Sequence, residues 1–232
     1  MVRSRHTNTG LSRDVLIPSD SAMLEGRLEV PAGATGIVLF AHGSGSSRYS
    51  PRNQFVARVI REAGLGTLLF DLLTQEEEVV DRQTRHLRFD IGLLASRLID
   101  ATNWIERESE AGRLRAGYFG SSTGGSAALV AAAEVGERIG AIVSRGGRPD
   151  LAGAALSLVK SPTLLIVGGL DEVVIELNKE AHARLQCVKE LKIVPGASHL
   201  FEEPGKLEEV ARLAAEWFQT YLQRPQSSMA AG

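Results

Sequence analysis

Short apolar runs alternate along this chain with longer stretches of helical period. Residues 37–41, 67–70, 116–119, 141–144, 163–167 and 191–194 read as buried strands. Residues 15–17 and 24–30 precede them and read as an antiparallel edge, with Pro31, Gly33 and Gly36 marking the turn that follows. Between the strands, Leu87, Ile91, Leu94, Leu98, Ala101 and Ile105 recur at steps of three and four, one stripe of a long helix. Leu207, Val210, Ala214, Trp217 and Tyr221 repeat the pattern near the C-terminus, and Phe55, Val56, Val59, Ile60 and Ala63 make a shorter stripe. Residues 125–133 are rich in alanine on every side, so that helix can lie close to a sheet and be buried nearly all round. This alternation predicts an α/β fold: a doubly wound, mostly parallel sheet of about eight strands. No linker or composition break divides it, so one domain over 1–232 is expected, with disorder at about 1–11 and 224–232.

Such a sheet gathers its chemistry where the strands end. After 116–119 come Gly120, Ser121, Ser122, Thr123 and Gly124, then the alanine-rich helix. This is G-x-S-x-G between strand and helix, the setting of a nucleophile elbow. A serine on so tight a turn holds its hydroxyl clear of the backbone, and the flanking glycines avoid collision where strand and helix converge. A serine-rich helix cap is the plainer alternative. Ser122 needs a base. His6 lies in the terminal segment, His86 and His182 sit in helical patterns, and His42 precedes the serine; His199 follows strand 191–194 through a short turn and is the candidate. Asp171, just beyond strand 163–167, is the matching acid, with Asp150 as its competitor. The order Ser…Asp…His fits an α/β-hydrolase sheet.

Strand 37–41 runs into His42, Gly43, Ser44, Gly45, Ser46 and Ser47. A loop of small residues there can aim a backbone N–H at a developing oxyanion, so the donors are assigned to Ser44 and Thr123. Phosphate cradling is the competing use of such a loop, but neither G-x-G-x-x-G nor G-x-x-x-x-G-K-[ST] occurs. On His42–Gly43, the 120–124 elbow, Asp171 and His199, the chain resembles the α/β-hydrolase superfamily, and more narrowly its dienelactone-hydrolase-like members, from about Val15 to Leu222. Dienelactone hydrolases use a cysteine nucleophile where this chain has Ser122. The resemblance therefore implies a serine esterase acting on a small ester, and the short 146–161 connection implies a site without a large lid. Arg48, Arg145 and Arg148 lie in loops at the active end; one of them, Arg48 or Arg145 first, is a candidate to pair with a substrate carboxylate, against ordinary loop arginines in salt bridges or solvent. The acidic run at Glu76, Glu77 and Glu78 reads as a solvated rim.

Composition narrows the partners. The 26 Lys and Arg nearly balance 28 Asp and Glu, which argues against nucleic acid or an anionic membrane held by bulk charge. Cys187 is the one cysteine, so neither an internal disulfide nor a thiolate cluster is available. With no signal-peptide core and no membrane-length apolar run, a soluble cytoplasmic protein is expected. The expectation is a serine hydrolase needing no cofactor and no metal, with a small-molecule ester as its partner. A non-catalytic ligand-binding or receptor-like protein on the same fold, and an acyltransferase or thioesterase using the same residues, remain the alternatives.

Overall fold

A computed structural model describes residues 10–223. Eight strands form one sheet: β1 (Leu11–Ser19), β2 (Ala22–Val30), β3 (Gly36–Ala41), β4 (Gly66–Phe70), β5 (Arg115–Ser121), β6 (Ile139–Arg145), β7 (Thr163–Gly168) and β8 (Lys189–Val194). Their order is β1-β2-β4-β3-β5-β6-β7-β8. β1 pairs antiparallel with β2, and β2 antiparallel with β4. Every other pairing is parallel, so β3 to β8 all end along one edge of the sheet. The expected disorder at the termini lies outside the described residues except at Gly10 and Leu11, and Leu11 opens β1.

Six α-helices cover the sheet: α1 (Pro51–Glu62), α2 (Gln75–Thr84), α3 (Ile91–Ile105), α4 (Thr123–Val135), α5 (Glu172–Arg184) and α6 (Lys206–Leu222). The inner strands are apolar throughout because both faces are covered. On one face Leu39, Tyr118, Ile142 and Leu165 pack against α3 and α4. On the other Phe40, Phe119, Val143 and Ile166 pack against α1 and α6. In α4 every residue from Thr123 to Ala132 except Val130 is buried, and all of those but Leu129 are small, which lets the helix lie against β5 and β6.

Two helices depart from the periodic reading. α3 begins at Ile91 rather than Leu87, because the Asp90 carboxylate accepts the Leu93 N–H and caps it there, leaving Leu87 in a 3-10 turn. The acidic run at 76–78 is the first turn of α2, where acidic side chains complement the helix dipole. The β6–β7 connection is a pair of 3-10 turns over Pro149–Leu158 broken at Gly153, with no inserted lid. Among the described residues, no helix is long and apolar enough to cross a membrane.

Candidate active site

Ser122 sits between the end of β5 and the start of α4 with φ 52° and ψ −121°, a backbone conformation that L residues rarely adopt. The neighbours that hold it there explain the glycines. A Cβ at Gly120 would lie 2.4 Å from the Gly124 carbonyl oxygen, and one at Gly124 only 2.1 Å from that of Ala41. The Ser122 N–H donates to the Arg145 carbonyl at 3.2 Å, and its own carbonyl accepts the N–H groups of Gly125 and Arg148. The elbow is thereby tied to the loop that follows β6.

That loop is itself well held. Asn178 of α5 donates to the Gly147 carbonyl at 3.0 Å, and Ser126 of α4 donates to the Arg148 carbonyl. The His199 ring rests on it: a Cβ at Gly146 would be 3.4 Å from His199 Cε1. His199 leaves β8 through a turn in which Ser198 N–H donates to Glu203, and buried Phe201, with φ 56°, anchors the segment into the α1/α6 core. Asp171, at the head of α5, meets His199 Nδ1 at 2.6 Å through Oδ2. An ionised carboxylate only accepts, so Nδ1 carries the proton and the neutral ring keeps Nε2 free to take one. Asp150, the competing acid, is clasped by Arg148 at 2.8 and 2.9 Å. Asp171 and His199 are therefore brought together, and Ser122 and His199 flank one loop. The Ser122 hydroxyl makes no hydrogen bond to a described residue.

On the other side of Ser122, Gly43 packs so closely that a Cβ there would lie 3.1 Å from Ser122 Cβ. Ser44 Oγ donates to the Arg88 carbonyl at 3.3 Å, which makes Thr123 Oγ1 the donor in its 3.0 Å bond to Ser44 Oγ. The loop after β3 and the first residue of α4 are thus pinned together. The Thr123 amide belongs to the helix turn that leaves its N–H groups without internal partners. His42, which sequence order had set aside as a base, has a different part. Its Nε2 accepts the Leu72 N–H at 2.9 Å, so Nδ1 carries the proton and donates to the Gly43 carbonyl at 3.0 Å. Burial holds its imidazole below the usual pKa and so keeps it neutral. Its position directly after β3 was the available signal. Beside it opens a cavity of about 300 Å³ whose lining includes Ser44, Thr123, Leu72 and Leu94.

The arginines behave differently from one another. Arg48 is engaged by Asp71 and Glu25 and lies over the Tyr49 ring, so the salt-bridge reading describes it and a free carboxylate receptor does not. Arg145 is buried, in register on β6 with Ala141 and Val143, and so on the α1/α6 face. Glu77 of the acidic run forms an ion pair with buried Arg97 instead of standing in solvent. Cys187 is half-buried 3.7 Å from Thr163 Oγ1, and burial pushes its thiol pKa up.

Comparison with known proteins bears on the fold and the family. A dienelactone hydrolase from Anabaena variabilis is 62% identical, with a TM-score of 0.91 over 93% of this chain and all of that one. Est1E from Butyrivibrio proteoclasticus, 15% identical with a TM-score of 0.74 over 89% of this chain and 98% of its own, shares the fold. Two Mycobacterium tuberculosis proteins, each named "Putative phosphoribosyl transferase", are 55% identical over 212 residues, which is 91% of this chain and 47% of theirs. The chain spans about half the length of these curated relatives. The sheet, the strained serine elbow and a pattern match to the dienelactone hydrolase family over residues 24–223 lead to one assignment: this α/β-hydrolase chain belongs to the dienelactone hydrolase family.

Proposed function

We propose that the chain is a metal-independent serine hydrolase acting on a small ester, with Ser122 as nucleophile, His199 as base and Asp171 as the acid that orients it. The observation that carries this reading is the 2.6 Å His199–Asp171 pair set across one short loop from a serine on a positive-φ turn. As Ser122 Oγ bonds to the substrate carbonyl carbon, its proton passes to His199 Nε2, and the Ser44 and Thr123 amides receive the oxyanion. His199 then gives that proton to the leaving alcohol oxygen as the carbon–oxygen bond breaks. Water, deprotonated by the same nitrogen, attacks the acyl-serine carbonyl; the acid departs and Ser122 regains its proton.

Phosphoribosyl transfer is not carried over to this chain. The name belongs to proteins of which this chain spans about half. The test is Ser122→Ala with p-nitrophenyl acetate. Turnover is expected to fall by about 10⁴-fold or more with the circular dichroism spectrum unchanged. Turnover at the parent rate would refute the assignment. Reaction with a fluorophosphonate separates this reading from a non-catalytic binder, since only an activated serine is labelled. Product analysis with added alcohols separates hydrolysis from acyl transfer.

A further inference from the structure

Behind the histidine loop, on the α1/α6 face, the charges do not balance. Arg145 is 7% exposed, and its guanidinium makes no hydrogen bond or ion pair with any described residue. Its Nε and Nη1 are closed to solvent and without acceptors. The neighbouring cation is Arg52, whose Nε is buried and unpartnered as well and whose Nη1 reaches only Glu202, itself 61% exposed. Arg52 stands in the first turn of twelve-residue α1, where the dipole adds further positive potential.

Buried polar groups are nearly always satisfied, and a buried cation normally has a counter-charge. Two neighbouring arginines, with one exposed carboxylate paired to Arg52, meet neither condition. Burial and the charge of Arg52 lower the Arg145 pKa to about 10, which still leaves it protonated at neutral pH. An anion with several acceptor oxygens would meet both conditions. We propose that Arg145 and Arg52 build a site for a small oxyanion, a carboxylate or phosphate group, between the end of β6 and the N-terminus of α1. The ion's oxygens accept from the guanidinium N–H groups of Arg145 and Arg52. Because the Arg145 carbonyl holds the Ser122 N–H and Glu202 lies three residues beyond His199, an ion there also braces both halves of the candidate active site.

The test does not depend on esterase activity. Thermal unfolding is followed in inorganic phosphate and in acetate, each against chloride at matched ionic strength. The parent Tm is expected to rise saturably, by about 3–6 °C at ten times Kd. Arg145→Met is expected to show no saturable rise. Should that variant fail to fold, Arg52→Gln changes a partly exposed side chain, and its half-saturation is expected at about tenfold higher phosphate. If phosphate also raises the KM for p-nitrophenyl acetate while kcat holds, the oxyanion arrives as part of the substrate. If KM and kcat both stay unchanged, it is a free ion, and either result supports the site. Coincident curves for parent and variants in both anions would overturn it and assign the orphaned donors to bound water.

Discussion

At Gly124 a methyl group would lie 2.1 Å from the Ala41 carbonyl oxygen, a backbone atom that cannot swing away. Gly124→Ala is therefore expected to cost about 3 kcal/mol or more in urea unfolding, the upper range for overpacking, and to displace Ser122 with it. The same residue-scale logic applies to His42. His42→Ala orphans the buried Leu72 N–H, for an expected loss of about 1–3 kcal/mol plus that of the vacated volume. The pH dependence has a definite sign. The folded imidazole has its pKa lowered from 6.5, so below that pH the unfolded chain binds a proton that the folded one resists. Stability then falls as pH drops, and urea unfolding from about pH 7.5 to about pH 5.5 should show a smaller loss in His42→Ala than in the parent. Ser122, Asp171 and His199 could be put forward as candidates from the sequence because each lies just past a strand end, in a setting that local chemistry defines. Arg48 and Arg145 were not separable there. Their surroundings come from Glu25 and Asp71 in one case and Arg52 in the other, residues that only the fold brings near.

At the scale of elements, the strands were the most readable part, since central parallel strands must be apolar on both faces. α2 was missed because periodicity barely marks it: Asp81 is its one buried residue. The signal that existed was a capping box, Thr74 to the Glu77 N–H and Glu77 back to the Thr74 N–H. α2 is held by polar ties, chiefly Arg97 of α3, which pairs with Glu77 and donates to the Leu72 carbonyl. These contacts place the β4–α2 connection against His42 and so reach the loop carrying Ser44. Arg97 is 5% exposed, so truncating it leaves a carboxylate and a carbonyl without their partner. Arg97→Ala is expected to cost about 3–5 kcal/mol, whereas breaking the exposed Arg58–Glu62 pair should change stability by about 0.5 kcal/mol or less. Urea midpoints of the two variants decide whether α2 depends on this buried pair.

For the whole molecule, the sheet separates two apolar layers and carries every candidate catalytic group on the edge where both layers end. One layer holds Leu98 of α3, the other Phe218 of α6, and each is fully buried. The inner strands between them are hydrogen-bonded on both sides, and a cavity on either face is expected to relax locally and in part. Leu98→Ala is expected to cost about 2–5 kcal/mol and Phe218→Ala about 3–5 kcal/mol. Because the two sites share no side-chain partner, the double variant should equal the sum of the singles within about 0.5 kcal/mol, if enough stability remains to measure it. Milder truncations, Leu98→Val with Phe218→Leu, keep the cycle measurable if the harsher pair unfolds. A coupling above about 1 kcal/mol would mean that the sheet transmits strain between its faces. The elbow and the histidine loop would then respond to packing on either side. Additivity would instead mean that the catalytic edge is held by its own backbone ties, Ser122 to Arg145 and Asn178 to Gly147, largely independent of either core.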